Sequence, residues 1–265
     1  MVTFETKVYE KDWRYILNGN YLDKVIRRCQ YPFAERVLLI NNVSNREAVI
    51  EKAEKKIRSG TLDRYYLVDR YAEETLDFFH IDKTSFQGGY YYSIAELVSI
   101  YLCRTEFLLH FSSDAFMGKV GQPWIESSKE ILRSHGNVLV ANPCWDYRFD
   151  QARREALDET DGFFKGFGFS DQCYLIQAER FRKDMFNETH PHSGRYPVYG
   201  GELFEKRVDS YMRNHQLMRI TAKHASYIHK NFSRHPLLYR IDLLAQLLAS
   251  LRLRNDAGRR PENNR

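Results

Sequence analysis

Apolar residues fall at even positions from Val2 to Tyr9 (VTFETKVY), and this period of two predicts a first strand. Leu22, Val25, Ile26 and Cys29 then recur at helical spacing, with Pro32 punctuating the end. RVLLI at Arg36 to Ile40 predicts a second strand, closing on Asn41, Asn42, Val43 and Ser44. Arg46 to Arg58 follows as a helix with Val49, Ile50, Ala53 and Ile57 on one face, and Gly60 stops it. Tyr65 to Val68, ahead of Asp69, reads as a third strand, and Glu73 to Phe79 as a short helix. Ile94, Leu97, Val98, Tyr101 and Leu102 form the apolar face of the next helix; Phe107 to Phe111 is an apolar run suited to a buried strand. That strand ends in a polar turn, Ser112, Ser113 and Asp114.

A helix containing Trp124 comes next, then a strand at Asn137 to Ala141 that Pro143 should break. Phe149 to Leu157 has a helical pattern, Gly166 to Ser170 is a glycine-aromatic loop, and Gln172 to Gln177 is strand-like. Glu202 should start a helix that turns Leu203, Phe204, Val208, Tyr211 and Met212 inward, and Ala225 to Lys230 reads as a late strand delivering His229. Strands alternating with helices predict an α/β fold with a mostly parallel central sheet flanked by helices. In such a sheet the ligand lies outside the carboxyl ends of the strands. The polar residues expected there are Thr6, Lys7, Tyr9, Asn41, Asn42, Asp69, Ser112, Ser113 and Asp114, although Asn and Asp also serve simply as loop formers.

With 265 residues the chain is long enough for one large domain or a domain with a small appendage. Its apolar fraction of 43% and charged fraction of 28% are ordinary for a globular protein, and no apolar run approaches the roughly 20 residues needed to cross a bilayer. No signal-peptide pattern precedes Val2, which leads to the expectation of a cytoplasmic location. Cys29, Cys103, Cys144 and Cys173 are widely spaced in apolar or aromatic settings, so packed reduced thiols are expected over a disulfide framework or zinc site. The net charge of +5 is spread among mixed charges without a concentrated basic stripe, and nucleic acid is not an expected partner.

The helix, strand and polar turn from Tyr90 to Met117, followed by the helix of Trp124, resemble the centre of a GT-A glycosyltransferase, especially the inverting family 2. The resemblance implies a Rossmann-like GT-A domain over residues 1–232 that binds a nucleotide-diphosphate sugar at the strand ends just named. It makes Asp114 a ligand for a divalent cation, manganese or magnesium, with His229 as a second ligand by its late place in the chain. The family's first acidic position reads Ser112 here, and Lys7, Arg104 or Lys119 would share the charge of the diphosphate if the cation were lost. Tyr199 to Arg207, YGGELFEKR, is similar to the acceptor-side motif of several GT-A enzymes. On that likeness Glu202 is the expected catalytic base and Glu205 its reserve, with Asp171 and Trp124 contacting a glycan or lipid-linked acceptor. The two glycines would let the backbone approach a ligand.

Residues 233–254 pattern as an amphipathic helix followed by arginines, suited to a membrane surface, to docking on its own domain or to a homodimer. The polar residues 255–265 are expected to be disordered. His190 and His192 lie in a loop, NETHPHSGRYP, that would suit a lid. Two rival functions stay open: a sugar-phosphate nucleotidyltransferase, whose glycine-rich loop TKVYEKDW lacks, and a noncatalytic GT-A-like binding or scaffold protein.

Overall fold

The computed structural model describes residues 1–120, 123–197 and 201–229, apart from the side chain of Lys119. The expected helix at 233–254, the tail at 255–265, and Tyr199 and Gly200 lie outside the described residues.

The first half alternates as its pattern predicts. Strand β1 (Val2–Val8) leads to helices α1 (Trp13–Leu17) and α2 (Tyr21–Arg28), then β2 (Glu35–Ile40), α3 (Arg46–Arg58), β3 (Arg64–Leu67), α4 (Ala72–Phe78), α5 (Tyr90–Leu102) and β4 (Phe107–Phe111). These four strands lie parallel in the order β3, β2, β1, β4. Period-two side chains divide between two cores. Phe4, Val8, Leu38, Leu109 and Phe111 pack on one face with α1, α2 and α3, whereas Val37, Leu39 and Leu108 pack on the other with α4 and α5. The start of α3 is fixed by Asn45, whose side chain accepts the N–H of Ala48.

Beyond β4 the sheet becomes mixed. The remaining elements are β5 (Ala115–Val120), α6 (Trp124–Ser134), β6 (Val138–Trp145), α7 (Phe149–Glu155), β7 (Asp158–Glu159), β8 (Phe163–Gly166), β9 (Cys173–Gln177), α8 (Ala178–Phe181), α9 (Phe204–Asn214) and β10 (Met218–His229). β9 runs antiparallel between β4 and β6, and β10 pairs parallel with β6 and antiparallel with β8 and β5. The parallel arrangement expected for the sheet therefore holds in its first four strands and gives way afterwards.

Three local expectations are corrected. Pro143 does not end its strand: β6 continues to Trp145, and the register of β10 shifts between Ala222 and Ser226 beside it, in an irregular ladder that tolerates a missing N–H. β5 follows the Ser112–Asp114 turn directly, where no strand was predicted, because it gains its partner only from the distant β10. β10 itself begins at Met218, seven residues ahead of Ala225. Among the described residues no helix is long and apolar enough to cross a membrane. All four cysteines are buried and free.

Candidate functional site

Chain order reverses at β1, which has β2 on one side and β4 on the other, so a crevice opens outside the carboxyl ends of β1 and β4. The loops leaving these two strands are tied together. Asp12 accepts the backbone N–H of Tyr9 at 2.8 Å with Oδ1 and the hydroxyl of Ser113 with Oδ2, while the Tyr21 hydroxyl donates to the Ser113 carbonyl at 3.1 Å. Burial pushes Asp12 up to about 7, against the two hydrogen bonds and with the help of the neighbouring Asp114 charge. Ser113 is therefore a brace, and Asp12, which no sequence pattern marked, is its partner.

Asp114 and His229 meet at the end of the β5–β10 ladder, where His229 pairs with Ala115. His229 Nε2 lies 3.3 Å from Asp114 Oδ2, and Ser112 Oγ donates to Asp114 Oδ1 at 3.0 Å. Asp146 holds the end of β10 by accepting the His229 backbone N–H at 3.1 Å. It sits with Tyr147 in a left-handed turn, φ 46° and 58°, a conformation that Asp enters readily and a bulky Tyr rarely. Burial opposes charge on both members of the pair, but their hydrogen bond and mutual attraction prevail. Asp114 is held below the usual carboxylate range and His229 above the usual imidazole range.

One oxygen and one imidazole nitrogen are donors that manganese accepts readily, and a harder cation such as magnesium would favour the oxygen. Two ligands at right angles around such an ion stand about 3 Å apart, so the observed 3.3 Å suits joint coordination. Among the described residues no third His, Cys, Asp or Glu gathers there. Diphosphate oxygens and water would have to complete the shell. The residues present fit a cation on those terms.

Beside this pair lies a second, more buried charged group. Lys7, near the end of β1, makes an ion pair with Glu96 of α5, whose side chain has no solvent exposure. Glu5, two residues earlier, accepts from or donates to His110 Nδ1 at 2.6 Å, and His110 stacks on Tyr174 with centroids 4.7 Å apart. Asp171 and Glu205 complete the group: Glu205 accepts the Asp171 backbone N–H, and Asp171 lies within electrostatic reach of Lys7, Glu96 and His229. Burial, followed by the Asp171 and Glu96 charges, pushes Glu205 up to about 8. Glu96 is raised by burial as well, while Lys7 is raised because Glu96 and Asp171 together outweigh its desolvation.

The remaining expected residues divide. Tyr9, 43% exposed, lies close to Tyr92, and the Asn41 side chain donates to the Tyr91 carbonyl at 2.9 Å, so both gather at the start of α5. Asp69 is near Tyr90 but is held by Arg46. Asn42 is exposed on a positive-φ turn, and Thr6 is buried within the sheet between Leu38 and Phe111. Thr6 therefore does not reach a ligand.

Trp124 does not line the crevice either; it is 3% exposed and packed in the core with α2 and α6 residues. Glu202 lies ahead of α9, and its carboxylate is engaged by Lys206 Nζ at 2.5 Å. Of the two motif glutamates it is Glu205 that joins the buried group. Gly201 serves its own chain: at φ 72° its position leaves 2.4 Å between a notional Cβ and the Phe86 carbonyl oxygen, which also accepts the Glu202 N–H. The spacing of the motif could not distinguish these roles, since Glu202 and Glu205 stand three residues apart, and the helix that was to start at Glu202 begins only at Phe204. Asp12, Glu96 and Asp146 were missed for a different reason, because each acquires its role from a residue at least 80 positions away.

No family model and no curated protein matches the chain. Solved structures do. GalNAc-T7 with UDP, GalNAc and Mn2+ aligns with 86% of this chain at 13% identity and a TM-score of 0.51. The mannosyltransferase PcManGT from Pyrobaculum calidifontis, in complex with GDP-Man and Mn2+, aligns with 98% of it at 12% identity and a TM-score of 0.50. The fold is GT-A. The chain spans less than half of GalNAc-T7 (43%) and 65% of PcManGT. At these identities the GT-A likeness describes the arrangement of strands and helices, and the chemistry has to be argued from the side chains above.

Proposed function

We propose that this protein is a glycosyltransferase that moves a sugar from a nucleotide diphosphate to an acceptor hydroxyl, with inversion as in family 2. One arrangement supports the reading above all: on a GT-A sheet, the Asp114–His229 pair and the Glu205–Asp171 group share one crevice at the switch between β1 and β4. The first suits a diphosphate and its cation; the second suits the acceptor.

Asp114 and His229 would hold the cation, which supplies Lewis-acid stabilisation of the charge on the departing diphosphate. The aromatic turn at Tyr9 and Tyr90–Tyr92, with Asn41, offers faces and polar groups for the base and ribose. Glu205 is the base. Its raised pKa places it near the range in which a carboxylate is basic enough to accept a hydroxyl proton yet is still available unprotonated. As the acceptor O–H bond breaks, the proton passes to Glu205 and the oxygen bonds to the anomeric carbon. The bond from that carbon to the diphosphate breaks on the opposite face, and its electron pair leaves with the diphosphate. Lys7 and Glu96 act beneath as positioning residues, setting the field that Asp171 and Glu205 feel.

Thermal melts with UDP, GDP, CMP and dTDP, each in manganese, magnesium or chelator, test the donor half of this reading. A ligand that binds only the native state raises Tm by mass action. One nucleotide diphosphate is expected to raise Tm selectively and more in manganese than in chelator; an unchanged Tm with every nucleotide would reject a donor site.

A further inference from the structure

Away from the cation pair, two arginines converge on the loop between β8 and β9. Gly168 has φ 120°, and a notional Cβ there would lie 2.7 Å from Arg195 Nη2 and 3.2 Å from Arg219 Nη1. Arg219 is short of partners: its Nε is buried without a hydrogen bond, and among the described residues no carboxylate lies within ion-pair distance. Its guanidinium instead lies over the Trp145 ring, 5.3 Å from the centroid. Burial lowers its pKa, helped by the neighbouring Arg195 charge and opposed by Glu155 at longer range.

Arg195 is half exposed; its Nη2 donates to the Tyr196 hydroxyl at 3.3 Å, and its nearest carboxylate, Asp209, is loosely placed at 3.6 Å. Asp209 is already bound by Arg213 at 2.8 Å and by the Ser193 hydroxyl at 2.6 Å. Asp209 thus serves two arginines, and Glu155 lies within electrostatic reach of Arg195 and Arg219, so three arginines face two carboxylates. Two links of the chain connect this surplus to the groups described above. Trp145 precedes Asp146, which holds the His229 backbone, and Gly168 lies three residues before Asp171 in the same loop.

We propose that Arg195 and Arg219 form a subsite for a phosphate group carried by the acceptor. Two guanidiniums present several N–H donors to tetrahedrally arranged oxygens, and the doubled charge suits a dianion better than a carboxylate. The missing side chain at Gly168 lets both guanidiniums pack close to the loop backbone and to each other. Trp145, partly exposed under Arg219, offers an apolar face to whatever bears the phosphate. The assignment to the acceptor rests on the glycosyltransferase reading; the anion site itself does not.

Calorimetric titration of inorganic phosphate and, separately, acetate into the full chain tests it, in chelator and without nucleotide. Variants Arg219→Gln, Arg195→Gln and Asp114→Asn are titrated alongside, each first checked by its thermal melt. Phosphate is expected to bind the native protein, to weaken about tenfold or more in either arginine variant, and to bind Asp114→Asn as before. Arg195 is exposed enough for its variant to fold even if Arg219→Gln does not. No phosphate binding, acetate binding as tight as phosphate, or loss in Asp114→Asn with the arginine variants unaffected would each overturn the subsite. None of these readings needs a nucleotide sugar, so the donor melts can fail while the phosphate site stands, and the reverse.

Discussion

Asp114 and Glu205 are carboxylates at the same edge of one sheet, and their surroundings drive them in opposite directions. Asp114 has His229 in front of it and a serine hydroxyl beside it, so its negative charge is retained although it is largely buried. Glu205 has Asp171 and Glu96 as neighbours, with Lys7 as the opposing cation, so it gives up its proton only at a raised pH, about 8. Burial alone raises any carboxylate; the sign of the nearest charge decides whether that rise survives. Residue type at an active edge therefore says little about role until the neighbours are known. A charged carboxylate suits a cation and diphosphate, and a protonatable one suits an acceptor hydroxyl.

The largest effect should come from removing the proton acceptor. Glu205→Gln is expected to lower turnover by roughly 10²- to 10⁴-fold, the usual worth of general base catalysis, while nucleotide affinity stays as it was. Steady-state transfer rates beside nucleotide titrations check this, and a variant that turns over normally would remove Glu205 from the chemistry. Asp114→Asn should do the converse. Nucleotide affinity in manganese is expected to fall by at least the ~10- to 100-fold that even an outer partner of a metal site contributes, with little change in chelator; equal losses in both media would argue against a cation at the pair.

A structural substitution separates the two groups in a third way. Gly201→Ala forces a side chain against the Phe86 carbonyl at positive φ, just ahead of the helix that presents Glu205. A loss of about 1–3 kcal/mol is expected in urea unfolding, with turnover falling more than nucleotide binding. If nucleotide binding falls as far as turnover, the two groups are not mechanically separate.

The smallest effect is on stability against pH. Below the ordinary glutamate pKa of 4.5 both folded and unfolded chains hold the Glu205 proton, and its contribution is flat. As pH rises from there toward about 8, the unfolded chain gives up that proton more readily, so stability is lost over this window. Glu205→Gln should flatten that part of the Tm profile, and an unchanged slope would show that its carboxyl is not held protonated.

Much of the frame was legible in the chain. Period-two and period-3.6 patterns gave β1, β2, α3, α5 and β4 nearly at their observed limits, because those elements bury one face or a whole run against a continuous core. The parallel pairing of this half followed, and with it the turn at Asp114; the strand order and the switch point between β1 and β4 came from the tertiary structure. His229 was identified by order in the family resemblance, and the structure brings it to Asp114. β5 and the early half of β10 were hidden, since β5 becomes a strand by pairing with the late half of β10 and the early half by pairing with β6 and β8, and sequence separation erases that signal.

The sequence by itself determined which segments are apolar on one side and which polar residues end the strands. It could not decide among chemically equivalent candidates. Glu202 and Glu205 stand three residues apart in one motif, yet one meets Lys206 and the other meets Asp171. Trp124 and Trp145 share a side chain, yet one lies in the core and the other under Arg219. Protonation, ion pairing and exposure depend on distances between residues far apart in the chain, and the tertiary structure alone sets those distances.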